Sequence, residues 1–483
     1  MSSTMKKTCI WIASVVAVLF ICGLVINGIA GAKLRKSLAG VPGGQIDFKR
    51  VHVALLGGNV EVKDVEVTFQ DSTDTRIQGQ VKTIRLEKIR WSRLFKGEAI
   101  ADRLVIKDGK VGLKSLKDST KVSAQGINVL LHDVGYAFKE GRVEYNDSLY
   151  RVSVDSLDYI DALGVSRILV GHLATADAGP VQVLGFRFYN CVPQEQLAEK
   201  MGKVSVMWTD AKLDSLTTSP INIPRLVTGK KIEVDKITMS GPEVTLLQDD
   251  RYKPAIPYTT FQEGINTLEM PLLIKEVDAS IKAFTFIWET THVNRGTFPM
   301  HNMKLTVKSV SNARNNLMEM DIKSGRKGKA HLDFTLYTRN DKKESTSGRM
   351  IITDLEASTL DPFMRPLFGA TANADIHKID AKFKGDKSQM TNDFLMLFEN
   401  LSMKAWDDVD APYKIVSKNS GVINFLANLI VPKSNPAVAG KDPKKVETTF
   451  ERDTWLPYPS YIIQVLTTGM LHTVLPGSTV KKK

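Results

Sequence analysis

Disulfide chemistry has almost no material in this chain. Of three cysteines in 483 residues, Cys9 and Cys22 fall within one uncharged stretch near the N-terminus, and Cys191 stands alone in the body. No disulfide can form within that body, so its stability must come from sheet pairing and burial. Catalytic constellations are missing too. The eight histidines (52, 132, 172, 292, 301, 331, 377 and 472) are scattered, and no two stand four apart as in a helical zinc site. There is no G-x-G-x-x-G, no Walker loop and no G-x-S-x-G. Asp407, Asp408 and Asp410 could offer oxygens to Ca²⁺, but they lack EF-hand spacing and run into Ala411-Pro412, as a solvated turn would. We therefore expect no enzyme, no cofactor and no metal. The net charge of +12 is not gathered into a patch. Basic and acidic residues interleave, as in Glu61-Val62-Lys63-Asp64-Val65-Glu66, which reads as a solvated strand face and gives no nucleic-acid partner.

What is present begins with that uncharged stretch. From Thr8 to Ala32 there are twenty-five residues without a charge, including Ile10, Trp11, Val15, Leu19, Phe20, Leu24 and Ile26. About 20 such positions suffice to cross roughly 30 Å of hydrocarbon as a helix. A cleaved signal peptide competes, since Ala30-Gly31-Ala32 offers an A-x-A site, but the apolar run is longer than a signal core. A lipoprotein using Cys22 is disfavoured by bulky Phe20 and Ile21 before it. Lysines flank both sides of the run, so charge does not set the orientation.

After the run, apolar and polar residues alternate in short strands. Ile46/Phe48, Val51/Val53, Val60/Val62, Val65/Val67/Phe69, Leu104/Ile106, Val204/Val206/Trp208, Phe284/Phe286/Trp288 and Leu332/Phe334/Leu336 each predict one apolar face. The phase slips at Lys63-Asp64 predict a β-bulge. An internal repeat aligns Arg93-Leu94-x-x-Gly97-x-x-Ile100-x-Asp102-x-Leu104 with Arg225-Leu226-x-x-Gly229-x-x-Ile232-x-x-Asp235-x-Ile237, after which Val111 and Leu113 match Val244 and Leu246. Repeating β units point to stepwise growth of a sheet. Helices are few. Pro193–Lys200, closed by Gly202, predicts a short one. Tyr461–Val474 predicts an amphipathic one whose stripe is Ile462, Leu466, Met470 and Thr473.

The segments Gly58-Asn59-Val60-Glu61-Val62-Lys63-Asp64-Val65 and Leu94-Phe95-Lys96-Gly97-Glu98-Ala99-Ile100-Ala101-Asp102-Arg103-Leu104, behind an N-terminal membrane helix, resemble the AsmA-like proteins of Gram-negative envelopes. Phe398-Glu399-Asn400-Leu401, Phe425-Leu426-Ala427-Asn428, Asn435-Pro436 and Phe450-Glu451-Arg452-Asp453 are similar to members of that family from the Bacteroidota. The resemblance implies a single-pass inner-membrane anchor with the bulk of the chain in the periplasm, and a part in phospholipid transport or outer-membrane homeostasis.

The expected fold is mainly β: an elongated, curved, antiparallel-rich sheet forming a β-groove, with an N-terminal transmembrane helix and a C-terminal amphipathic helix. We expect four regions: a cytoplasmic tail and anchor (1–36), an N-terminal β region with the repeat (37–250), a central β region (251–385), and a C-terminal β region with the terminal helix (386–483). Membrane phospholipids are the expected partners, with other envelope proteins as a further class. Candidates for the lipid groove are Val60, Val62, Leu104, Ile106, Val204, Val206, Phe284 and Phe286. Candidates for membrane contact are Trp455, Tyr458, Ile462, Leu466 and Met470, followed by the cations Lys481–Lys483. The alternative function is a scaffold or assembly factor that binds envelope proteins by adding strands to a sheet edge.

Overall fold

The computed structural model describes residues 44–54, 57–70, 75–94, 98–137, 142–146, 149–175, 177, 179–221, 231–289, 294–325, 330–405, 413–416, 431–438, 440–474 and 479–482. Strand makes up 64% and helix 12%, so the chain is mainly β. The run Thr8–Ala32 lies outside the described residues, and among those described no helix is long and apolar enough to cross a membrane. The chain divides into two compact units, residues 1–191 with 213–235, and residues 192–212 with 236–483. The regions 251–385 and 386–483 thus both fall inside the second unit.

The first unit is an antiparallel meander of β1 (Gly44–Ala54), β2 (Asn59–Gln70), β3 (Thr75–Ile89), β4 (Glu98–Ser115) and β5 (Lys121–Ala137), with the one-turn helix α1 (Trp91–Leu94) between β3 and β4. Beyond it come β6 (Arg142–Glu144), β7 (Tyr150–Val154), β8 (Ser156–Ile160), β9 (Ser166–Val170), β10 (His172–Thr175) and β11 (Pro180–Asn190). β5 pairs with β6, β7 and β8 in turn, β8 with β9, β7 with β10, and both β9 and β10 with β11. Period-2 alternation puts a clean apolar row across the meander, Val53, Val60, Leu86, Leu104 and Leu131, each the direct partner of the next.

A line of interruptions crosses these strands at one level. Asp64 on β2 and Asp108 on β4 take left-handed φ of 53° and 52°, and the pairing of β1, β2, β3 and β4 skips Lys49, Asp64, Lys82 and Asp108. Gly126 (φ 63°) continues the line on β5, Asp155 separates β7 from β8, Gly171 separates β9 from β10, and Gly185 (φ 62°) ends it on β11. The phase slip at Lys63-Asp64 is one member of this series, but it is not the expected β-bulge: Phe48–Val65 and Arg50–Lys63 keep one register, so the left-handed turn at Asp64 interrupts the ladder without inserting a residue. Asp tolerates the left-handed region because its short side chain hydrogen-bonds locally, whereas a β-branched residue does not. Asp64→Val is therefore expected to cost about 1–2 kcal/mol and Asp64→Gly close to nothing, as measured by urea denaturation.

In the second unit, α2 (Gln194–Lys200) matches the short helix expected there, with Gly202 at φ 78° just past its end. β12 (Trp208–Pro220) contributes Trp208–Lys212 to this unit, antiparallel to β14 (Glu243–Asp249), which follows β13 (Ile232–Ser240). β14 and β15 (Leu272–Glu289) are parallel, which requires the long crossover that carries α3 (Phe261–Asn266). An antiparallel meander then runs through β16 (Arg295–Ser311), β17 (Leu317–Ser324), β18 (His331–Arg339), β19 (Thr346–Glu356), β20 (Ala370–Gly385) and β21 (Gln389–Ala405). A 3₁₀ turn (Ala357–Leu360) and α4 (Asp361–Phe368) fill the β19–β20 connection, and Gly369 at φ 64° stops the helix. β22 (Tyr413–Val416) pairs with β24 (Thr479–Lys482), β23 (Lys445–Glu451) pairs with β21, and α5 (Tyr458–Val474) is the expected C-terminal helix, begun one turn earlier.

The repeat survives in altered form. Its first copy runs through the single strand β4, while its second is broken between β13 and β14 at Gly241, φ 70°. Residues 222–230 of the second copy lie outside the described residues. With the offset fixed by Val111 and Val244, Gly241 aligns with Asp108, so both copies turn left-handed at the same place.

Candidate functional site

Four groove candidates do share a face. Val60 and Leu104 sit in one cross-strand row of the first unit, and Val62 and Ile106 in the next, through Ile84. They do not form an open surface. Val60, Val62 and Leu104 are buried in a core with Phe48, Ile84 and Leu86, and Ile106 packs half-buried against it. Each such side chain contributes roughly 1.5–3 kcal/mol of burial. In the second unit, Phe286 and Trp288 are buried with Phe363 and Leu367 of α4, and Phe284 packs against them. Gly296 makes this possible, since a Cβ there would meet the Leu367 side chain at 2.9 Å. Val204 and Val206 lie just ahead of β12, outside any strand. The buried residue between them is Ser205, whose Oγ donates to the Asp249 carbonyl at 2.8 Å.

The membrane-contact candidates divide. Trp455 is half exposed, whereas Tyr458, Ile462, Leu466 and Met470 pack half-buried against the core of the second unit. The fully buried stripe of α5 is Tyr461, Val465, Gly469 and Thr473; Thr473 belongs to the predicted stripe, and the other three each stand one position ahead of the predicted Ile462, Leu466 and Met470. Gly469 lies on the ring of Phe394, where a Cβ would come within 2.3 Å of ring carbons. Two polar anchors fix this docking. Asn392 Nδ2 donates to the Val465 carbonyl at 2.8 Å, and Lys444 Nζ donates to the carbonyls of His472 and Thr473 at 3.0 and 3.1 Å. A cation at the helix C-terminus also suits the helix dipole.

Docked in this way, α5 leaves its other flank facing an apolar cleft of about 100 Å³. Thr467, Met470, Leu471 and Val474 form one wall, and Ala357, Leu360, Met364 and Phe368 the other. The floor is the apolar face of β20 and β21: Ala372, Ala374, Ile376, Met396, Phe398, Leu401 and Met403. Thr467 is the sole residue with a polar side chain in the lining, and its Oγ1 leans back on the Ile463 carbonyl at 3.4 Å. Four methionines line the cleft, and methionine is the side chain that best reshapes itself around an apolar guest. Apart from Met470, sequence reasoning missed this lining.

No family model and no curated protein matches this sequence. Chemistry of the concave surfaces is the remaining guide. The first unit carries an open trough of about 620 Å³ along its line of interruptions, lined by Lys49, Asp64, Lys82 and Asp108. Successive strands there alternate in sign, so the row neutralises itself; Lys82 and Asp108 lie 3.5 Å apart. Among the described residues no three His, Cys, Asp or Glu side chains are grouped to hold a metal. Asp407, Asp408 and Asp410 lie outside them.

Charged clusters in the second unit tie loops together. Glu344 is buried, accepts a hydrogen bond from Thr260 Oγ1 at 2.5 Å, and has its pKa raised by that burial. Glu263 caps α3 in a capping box with Thr260 and pairs with Lys387 at 2.9 Å. Asp380 works in the opposite sense. Arg349 grips it with two hydrogen bonds of 2.8 and 2.6 Å and Lys378 adds a third contact at 3.0 Å, holding its pKa down at about 2. A depressed carboxyl stabilises the fold above its unfolded value near 3.8 and loses that contribution as pH falls through the folded value. Acidification from pH 4 to 2 is expected to remove at most about 2 kcal/mol through this group. Asp380→Asn should lack that part of the acid dependence in a denaturation series.

Proposed function

We propose that this chain is an AsmA-like, membrane-anchored envelope protein that holds acyl chains of phospholipids. The observation that carries the reading is the cleft beneath α5: a concave, almost wholly apolar and methionine-rich surface offers nothing to a polar substrate and suits a flexible hydrocarbon chain. The uncharged run Thr8–Ala32 supports attachment to an inner membrane with the body in the periplasm. A role in phospholipid transport or outer-membrane homeostasis follows from the same reading.

The test is saturable binding of a fluorescent fatty acid by the purified chain, with mass spectrometry of any lipid it carries. Met364→Glu with Leu471→Glu places two charges at half-buried positions of the cleft and is expected to weaken binding at least tenfold with little loss of stability. Absence of both bound lipid and saturable binding would sink the proposal. The edge-addition alternative draws on β1 and β23, each of which has a strand partner on one side among the described pairings. It predicts capture of an extended peptide that competes with neither the fatty acid nor the cleft substitutions.

A further inference from the structure

One end of the first unit gathers features that the sheet itself does not need. Arg76 on β3, Lys114 on β4 and Lys121 on β5 are direct cross-strand partners in a single row, all three exposed. Like charges facing each other across strands destabilise a sheet. None of the three makes an ion pair with a described carboxylate. The β4–β5 loop that follows Lys114 exposes Leu116 (54%), and the β8–β9 loop exposes Leu163 (57%). These two loops are joined, since Ser119 N–H donates to the Ala162 carbonyl at 2.9 Å. Asp118 is the acidic member of the β4–β5 loop, and its carboxylate is engaged by the Thr120 N–H at 2.8 Å. Asp71 and Asp74 belong to the β2–β3 connection, outside the described residues.

The position of this end in the chain says what it faces. β1 enters here, because Gly44 pairs with Phe69, Phe69 with Ile77, Ile77 with Leu113 and Leu113 with Val122. Eleven residues, 33–43, separate Gly44 from the end of the uncharged run, and they include Lys33, Arg35 and Lys36. Such a linker reaches at most about 40 Å. The eighteen-residue β4 carries the opposite end of the meander roughly 60 Å further off.

We propose that the β4–β5 and β8–β9 loops dock this end of the unit on an anionic bilayer surface, with Leu116 and Leu163 entering the interface and Lys114, Lys117 and Lys121 meeting lipid phosphates. Which end faces the bilayer rests on the anchor reading, whereas the exposed leucines and the row of like charges stand without it. Short apolar tips framed by lysine stems are how a peripheral contact couples burial to headgroup attraction.

The full chain is placed in nanodiscs of neutral phosphatidylcholine, or of phosphatidylcholine with a minority of phosphatidylglycerol, and amide hydrogen exchange is followed over 113–122 and 160–166. Exchange is expected to be at least about fivefold slower in the anionic discs at low salt, an effect that fades at high salt. Lys114→Glu with Lys117→Glu and Lys121→Glu should abolish the protection, and Leu116→Asp with Leu163→Asp should reduce it. Equal exchange in the two lipids, or protection that survives charge reversal, overturns the proposal. Protection by heparin in neutral discs, with none from anionic lipid, overturns it in favour of a soluble polyanion. Retention of the chain in neutral discs at high salt tests the anchor alone. If it is lost there, the loop contact still shows as binding to anionic discs that the charge-reversed chain lacks, and neither result bears on fatty-acid binding in the second unit.

Discussion

Gly469→Val is expected to destabilise the second unit by about 3 kcal/mol. The added Cβ would lie 2.3 Å from carbons of the Phe394 ring, which is 1% exposed and has nowhere to turn. Moving α5 away instead would break the Asn392–Val465 hydrogen bond and widen the cleft. The variant should therefore unfold at lower denaturant and expose α5 amides to fast exchange. Gly264→Ala in α3 is the natural contrast, because nothing lies within 4 Å of its Cβ position. It should stabilise by roughly 0.5–1 kcal/mol, and a loss there as large as at Gly469 would show that the Phe394 contact is not the cause.

Leu104→Ala is expected to cost about 2–5 kcal/mol in the first unit. Leu104 is 1% exposed and lies between Leu86 and Leu131 in the apolar row, so the strands on either side, pinned by their own ladders, cannot collapse into the space left behind. Ile106→Ala, at a half-buried position one row on, should cost distinctly less. The pair measured together in urea denaturation separates a packed core from an open groove: similar small losses at both positions would favour the groove.

What could be read from the sequence was local. The pairing of Val60, Val62, Leu104 and Ile106 on one face follows from alternation, and the left-handed break at Asp64 follows from its interruption, although no residue is inserted there as a β-bulge would require. The same signature, an Asp or Asn ahead of an apolar residue inside a strand, also marks Asp133, Asn302, Asp354 and Asn400, all with left-handed φ. Alternation failed at Val204 and Val206, because Ser205 finds buried partners in the Asp249 carbonyl and Gln248 Nε2, which no periodicity can announce. Three members of the α5 stripe were placed one residue late because Ile462, Leu466 and Met470 are at least as apolar as the residues ahead of them, and only packing selects Val465 and Gly469, the latter against the Phe394 ring. The cleft was illegible for a different reason. Its walls and floor come from 357–368, 372–403 and 467–474, and only tertiary packing brings them to one place.

The line of left-handed residues across the first unit has a bearing on how such a sheet can lengthen. β2, β4, β5 and β11 each carry a turning residue of their own, set by one side chain or one glycine and independent of the loops at either end. A segment copied elsewhere in the chain brings its bend with it, as Asp108 and Gly241 at matching positions of the two repeats illustrate. The turn travels with the strand that encodes it, so new strands can join without that feature being invented again.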